Sequence, residues 1–262
     1  MKIHELNLSP ELVSFLKNVA AAGGRPLLVG GWVRDKLLGM DSKDKDIEVF
    51  NLPLKALKRI CRQHGRLFTV GAAFAVLKLT LADDDTIDVS VPRREVQTGQ
   101  GHKAFEIHAD PNMSVHDAAQ RRDLTVNAIS MDPLTGEIVD PTGGVDDLNR
   151  KLLRHVGPRF REDPLRVLRV YQFKARLDFE IAPETRAICR AITSAGELAT
   201  LPRERIEEEL RKLFLRGSAR GIMAALRNAR EDGVMEALFP ELYRLADTEQ
   251  DPRYHAEGDA LE

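Results

Sequence analysis

Cysteine is nearly absent from this chain of 262 residues: Cys61 and Cys189 lie far apart and at no metal-ligand spacing. They read as reduced, partly buried thiols of a cytoplasmic protein. The seven histidines are scattered, and none forms a His-x-x-x-His pair. No apolar run approaches membrane-spanning length, and the N-terminus lacks the basic-then-apolar pattern of a signal peptide. A membrane partner is therefore not expected, the cytoplasm is the expected compartment, and no obligate protein partner is evident. Excess charge of one sign is missing too: 39 Lys and Arg meet 41 Asp and Glu, a net charge of −2. That excludes a protein that is basic overall. Internal repeats and low-complexity tracts are also lacking.

What is present is ordinary in bulk and uneven in detail. A hydrophobic share of 43% with 31% charged residues fits a globular chain long enough for one or two domains. Residues 150–176, however, carry nine bases (Arg150, Lys151, Arg154, Arg159, Arg161, Arg166, Arg169, Lys174, Arg176) against only Glu162 and Asp163. With too few acids in the segment to neutralise it, this stretch predicts a polyanion site.

Ser9 as N-cap, Pro10 in the first turn and Gly23-Gly24 after the end predict a helix over 9–22. A short buried strand, 25–30, enters the Gly30-Gly31 turn, followed by a helix at 32–38, a strand at 45–50 and a helix at 53–64. Strands are expected at 68–70, 75–81 and 86–91, and a hairpin at 130–141. Residues 94–117 show no clear period and read as a long loop, functional or disordered, and a helix is expected over 114–128. After residue 150 the strand signal stops, and helices are expected at 163–176, 183–194, 203–215 and 218–232. The pattern is an α+β fold with a mixed sheet in a head domain, 1–150, then an all-α part, 151–250. Residues 251–262 read as an unstructured end, whose abrupt Leu-Glu suggests a chain cut from something longer.

Asp44 and Asp46 stand one residue apart in an alternating run, so a strand would send both carboxylates to one face. Neighbouring carboxylates repel, and a cation relieves them. A hard oxygen site with open positions suits Mg²⁺, which takes one or two carboxylates plus substrate phosphates. Taken alone, Asp-x-Asp is commonly a solvated loop. Here the Gly30-Gly31 turn lies just upstream, between strand and helix, where backbone N–H groups can approach a phosphate and Arg34 can reach the same anion. Asp88, mid-strand in Thr-Ile-Asp-Val-Ser, becomes a third carboxylate if its strand neighbours 45–50. It could then ligate metal or accept a proton, or only pair with a base. Glu48 shares the Asp46 face and reads as a salt-bridged rim residue. Arg121-Arg122-Asp123 and Asn127 offer a guanidinium clamp for a triphosphate and an amide for a sugar hydroxyl. On its own, Arg-Arg-Asp is usually a surface ion pair. Asp163 and Arg166, with Arg169 continuing the ridge, form either a capped, salt-bridged helix start or an acceptor–donor pair for a nucleobase edge.

The stretches LVGGWVRDKLLG with DKD, RRDLTVNAI, EDPLRVLR and RIEEELRKLF, in this order, resemble the class II tRNA nucleotidyltransferases (the CCA-adding enzymes) and their relatives the bacterial poly(A) polymerases. The resemblance runs from about residue 25 to 240. It implies a nucleotidyltransferase head related to that of DNA polymerase beta, followed by helical neck and body domains. Asp44 and Asp46 would bind catalytic Mg²⁺, with Asp88 as a further catalytic carboxylate. Gly31, Arg34 and Arg122 would hold the triphosphate and Asn127 the ribose region, with Gly30 and Asp123 also among the substrate-binding residues. Asp163, Arg166 and Arg169 would act as a protein template for CTP or ATP, and 94–117 would be the loop that accompanies A addition. Two departures stand out. Gln172 occupies a position where family members often carry Arg, and the chain stops where longer relatives continue into an HD-type phosphohydrolase domain.

The expected activity is template-independent addition of C and A to the 3′ end of tRNA from CTP and ATP. The neighbouring alternatives are poly(A) polymerase and CC-only or A-only addition. A nucleotide- or RNA-binding module without catalysis is the alternative from another class.

Overall fold

Ser9 accepts a hydrogen bond from Leu12 N at 3.2 Å and Pro10 takes the first turn, which starts helix α1 (Pro10–Ala21) where its residues predict. The chain continues through strand β1 (Arg25–Val29), α2 (Gly31–Leu37), β2 (Asp46–Phe50), α3 (Leu54–His64), β3 (Gly65–Val70), β4 (Val76–Leu81) and β5 (Thr86–Ser90). Then come β6 (Arg93–Gln97), β7 (Phe105–Ala109), α4 (Val115–Ala119), β8 (Ser130–Met131) and β9 (Ile138–Val139). The computed structural model describes residues 6–42, 44–70, 76–97, 105–244 and 253. They fall into two compact units, Met1–Val145 and Asp146–Glu262.

Among the described residues of the first unit, seven strands form one mixed sheet in the order β3-β4-β5-β2-β1-β8-β9. The β2–β5 pair is parallel, and the others are antiparallel. Register sorts the side chains by face. Val29, Asp46 and Asp88 lie abreast, as do Leu27, Glu48 and Ser90. The alternate residues Leu28, Ile47 and Val89 point the other way and are fully buried. That second face is covered by α1 and α3, which bury Leu12, Phe15, Leu16 and Val19, and Leu57, Ile60 and Cys61. Each large side chain so buried stabilises the unit by about 1.5–3 kcal/mol. On the carboxylate face Leu27, Val29 and Phe50 pack with Met113 and Ala118, which leaves the strand ends beside them open.

Two sequence expectations change here. Residues 94–117 are not one loop: β6 and β7 pair antiparallel, from Arg93↔Ala109 to Gln97↔Phe105. β7, Phe-Glu-Ile-His-Ala, alternates in sequence as a strand does, a signal the loop reading passed over; β6, Arg-Arg-Glu-Val-Gln, carries none. Residues 98–104, which the loop reading also covers, lie outside the described residues. The helix expected over 114–128 stops at Ala119, although Ser114 caps it as predicted, accepting from Asp117 N at 3.0 Å. Downstream, the Asp123 carboxylate accepts from Leu124 N at 2.7 Å and Asn127 Nδ2 at 3.0 Å. This local bonding competes with helix and favours the tight turn Thr125–Asn127.

Helix α5 (Gly144–Asn149) stands at the junction in sequence. The second unit then holds β10 (Leu152–Leu153), α6 (Leu165–Leu177), β11 (Glu180–Ile181), α7 (Pro183–Ser194), α8 (Arg203–Arg216), α9 (Ala219–Glu231), α10 (Val234–Leu238) and α11 (Pro240–Tyr243). Helix α6 is central, packed against α8 and α9, and Asp232 ties three helices together. Its carboxylate accepts from Tyr171 Oη at 2.9 Å, Arg186 Nη2 at 2.8 Å and Arg190 Nε at 2.6 Å. The unstructured end expected at 251–262 lies outside the described residues apart from Arg253. Both cysteines are buried and free, and burial pushes both thiols up to about 12. No helix among the described residues is long and apolar enough to cross a membrane.

Candidate active site

Parallel pairing of β2 with β5 sets Asp46 directly opposite Asp88, with Glu48 and Ser90 one step along the same face. The neighbouring strand assumed for Asp88 from the sequence is therefore present. These side chains line a cavity of about 390 Å³ together with Arg93, Arg121 and Arg122. Arg122 Nη2 lies 3.4 Å from Glu48 Oε2, the rim ion pair expected of Glu48. Lys78 Nζ lies 3.7 Å from Asp88 Oδ1, an oxygen that is buried and has no hydrogen-bond partner among the described residues.

Crowding leaves a mark on Asp46. Its carboxyl is pushed up to about 6, chiefly by lost hydration and then by the charge of Asp88; Arg122 pulls the other way, and Asp44 and Glu48 add to the rise. A cation would reverse that balance. Among the described residues no three His, Cys, Asp or Glu side chains form a ready metal cage. The donor set instead fits a hard cation that takes its remaining ligands from water or phosphate: paired carboxylates, an orphaned Asp88 oxygen and an open cleft. Asp44 departs from its expected position. It precedes β2, is exposed, and does not line the cavity, so strand alternation does not govern it. Pairing starts one residue later, where Lys45 O accepts from Asp88 N at 3.1 Å and Lys45 Nζ binds Asp85 at 2.8 Å.

Gly30 has φ 72° and ψ −135°, a conformation that only glycine adopts at low cost. A Cβ there would lie 3.0 Å from Arg122 Nη1 and 4.0 Å from Asp46 Oδ2, so the bare turn also lets the guanidinium approach the carboxylates. Its own N–H, expected to face a phosphate, instead donates to Ile129 O at 3.2 Å. Arg34 also differs from expectation. It is 1% exposed, and its guanidinium donates to Asp35 Oδ1 (Nε at 2.9 Å, Nη2 at 2.6 Å) and to Asn127 Oδ1. With Asn127 also donating to Asp123, the three predicted residues Arg34, Asp123 and Asn127 form one buried network beneath the turn. Arg121 donates to the carbonyl of Arg93, tethering the β6–β7 ribbon at the cavity wall. Arg93, Ser90 and Lys78 were missed from the sequence. Only the two-residue step from Asp88 to Ser90 carried a signal.

In the second unit Asp163 precedes α6 and its Oδ1 accepts from Leu165 N at 3.2 Å. Its Oδ2 is held by Arg205 Nη2 of α8 at 2.8 Å, a partner that sequence reasoning missed. Arg166 donates to Arg159 O at 2.6 Å, and Arg169 lies 3.6 Å from Glu209 and over the Phe173 ring. Gln172 is buried. The basic run 150–176 is not short of partners, because folding brings acids from outside it. Arg150 meets Asp146, Arg154 meets Asp147 and Glu184, Arg161 meets Glu197, and Lys174 meets Asp178 and Glu180. The charge excess read from that segment is largely neutralised.

Comparison with known proteins agrees with this geometry. Residues 27–154 match the family described as the poly A polymerase head domain, and residues 178–245 the one described as a probable RNA and SrmB-binding site of polymerase A. A multifunctional CCA protein of Xanthomonas campestris pv. campestris is 40% identical over 235 residues, 88% of this chain and 55% of that protein. Its counterpart in Nitrosococcus oceani is 40% identical over 233 residues, 88% of this chain and 54% of that one. The chain thus spans about half the length of the curated relatives it matches. Among solved structures, the Bacillus stearothermophilus CCA-adding enzyme in complex with CTP is similar with a TM-score of 0.73 at 29% identity, over 93% of this chain and 59% of that chain.

Proposed function

We propose, from the match of residues 27–154 to the poly A polymerase head-domain family and the likeness to multifunctional CCA proteins, that this chain is a nucleotidyltransferase that adds C and A to the 3′ end of tRNA from CTP and ATP. The observation that carries the reading is the side-by-side register of Asp46 and Asp88 at the mouth of a cavity that Arg122 also lines. The 3′ oxygen of the RNA attacks the α-phosphorus of the nucleotide, the bond to the β-phosphate breaks, and pyrophosphate leaves. Asp46 would hold Mg²⁺, with Asp44, whose charge reaches Asp46 from just before β2, as the second carboxylate, and the ion would supply Lewis acidity to the reacting oxygens. Asp88 Oδ1, buried, without a hydrogen bond among the described residues and 3.7 Å from Lys78 Nζ, accepts the proton of the attacking hydroxyl. Arg122 exchanges Glu48 for the triphosphate. Arg34, Asp123 and Asn127 hold the turn and the ribose pocket rigid from below. We assign base choice to Asp163 and Arg166, with Arg169 beside them, and the reaction to the cytoplasm.

The test uses tRNAs ending before CCA, after C and after CC, each incubated with single nucleotides and Mg²⁺. Stepwise C, C and A addition, lost in Asp46→Ala and Asp88→Ala, is the expected result. Extension by A alone without limit would make the chain a poly(A) polymerase, the reading that the description of its head-domain family favours. Wild-type activity in Asp46→Ala would sink the site assignment.

A further inference from the structure

Val49 to Ala82 holds six lysines and arginines and no aspartate or glutamate, in a chain whose net charge is −2. Four of the six, Lys55, Lys58, Arg59 and Arg62, fall on α3 at i, i+3, i+4 and i+7, a single stripe. Leu57, Ile60 and Cys61 occupy the buried side of the same helix. Lys55, Arg59 and Arg62 are exposed, Lys58 is half-buried, and a shallow depression of about 500 Å³ runs along Pro53, Lys55, Ala56, Arg59 and Arg62.

A solvated, neutralised helix face is the ordinary reading of such charges, and the rest of the chain supplies the contrast. Most of the bases of 150–176 find acids, and Arg186 finds Glu231 and Asp232. On α3 no acid is present, and none of the four bases makes a side-chain hydrogen bond or ion pair among the described residues. A rise of about 1.5 Å per residue puts Lys55 and Arg62 about 10 Å apart along the axis. That is about one Debye length at 0.1 M salt, so the four charges repel one another unless an anion lies across them.

We propose that this stripe docks the phosphate backbone of RNA on the sheet face opposite the carboxylates, gripping a part of the substrate remote from its reacting 3′ end. The partner rests on the RNA-substrate reading given above. The stripe carries no large apolar side chain. A protein interface is anchored by buried aromatic or aliphatic groups, and a membrane-surface helix by an inserted apolar face, so a row of bare cations fits evenly spaced phosphates better.

The experiment measures binding of the full chain to a labelled RNA hairpin with a single-stranded 3′ end, across a salt series. It compares wild type with the combined Lys55→Ala, Lys58→Ala, Arg59→Ala and Arg62→Ala variant. Each lost phosphate contact reduces the slope of log K against log salt by about 0.9, so the slope should become shallower by about 3 to 4, with at least about a tenfold loss of affinity at low salt. Nucleotide addition at saturating RNA should be unchanged. The combined Lys55→Arg and Lys58→Arg variant should bind as wild type. An unchanged slope in a variant that melts like wild type would overturn the proposal. So would unaltered RNA binding accompanied by lost binding to anionic-lipid vesicles or poly-glutamate, which would reassign the stripe. A shallower slope in a chain that extends no RNA would keep the docking surface and reject only the transfer activity.

Discussion

Asp46 carries a conflict that its sequence position alone does not reveal. Its carboxyl is raised from 3.8 to about 6 by lost hydration and by Asp88, so between those values the folded chain holds a proton that the unfolded chain has released. Without a cation, stability therefore falls as pH rises through that window. Asp46→Asn should raise the thermal midpoint above pH 6 in chelator, show no gain below about pH 4, and abolish transfer; calorimetry across pH checks the sign. Gly30 is constrained in the backbone instead. Gly30→Ala places a Cβ at φ 72°, 3.0 Å from Arg122, and should cost about 1–3 kcal/mol in urea unfolding. Gly31→Ala meets only Arg34 Nη2, at 3.5 Å, and should change stability by less than about 1 kcal/mol. Asp46, Asp88 and Gly30 were legible as residue types at telling positions. The buried pairing of Arg34 with Asp35 was not, because a guanidinium reaches buried or exposed partners equally well.

At the scale of elements, spacing and capping predicted most helices and strands but could not say which strands would pair. Asp46 of β2 and Asp88 of β5 are 42 residues apart in the linear count; parallel pairing of their strands makes them neighbours. The β6–β7 ribbon escaped notice because Gly99, Gly101 and Pro111 made its segment read as loop, and the helix after Ser114 was overextended because Asp123 bonds locally. The same limit hid Arg205, which crosses from α8 to hold Asp163 at 2.8 Å. Arg205→Ala should loosen that carboxylate and narrow the preference among nucleotides about ten- to a hundredfold in relative kcat/KM, as expected for losing a charged hydrogen bond of about 1.5–3 kcal/mol. Arg205→Lys should recover part of it. Equal loss for all four nucleotides would assign Arg205 to folding alone.

For the whole molecule, two units imply two cores that can be read separately. The single tryptophan, Trp32, is buried in the first unit and reports on it alone, whereas the helices of the second dominate far-ultraviolet circular dichroism. Burial disfavours the Asp232 charge, but hydrogen bonds from Arg186, Arg190 and Tyr171 outweigh it and hold the carboxyl below its ordinary range. Asp232→Ala should lower the dichroism transition by about 3 kcal/mol and leave the Trp32 fluorescence transition in place. The difference should shrink as pH falls below about 4, where the unfolded carboxyl takes up a proton, and vanish once pH passes the lowered value at which the native charge is lost. Matching shifts in both signals would show one cooperative unit. By itself the sequence determined the α+β class, the family resemblance and the identities of the acids, bases and glycines, because periodicity and motif spacing are properties of the chain. Only the tertiary structure decided which charges remain exposed. Among the described residues, folding brought acids to the basic run at 150–176 and none to the bases of α3, since long-range pairing depends on which surfaces meet in space. The same packing set Asp46 against Asp88 and turned two scattered aspartates into a cation-seeking pair.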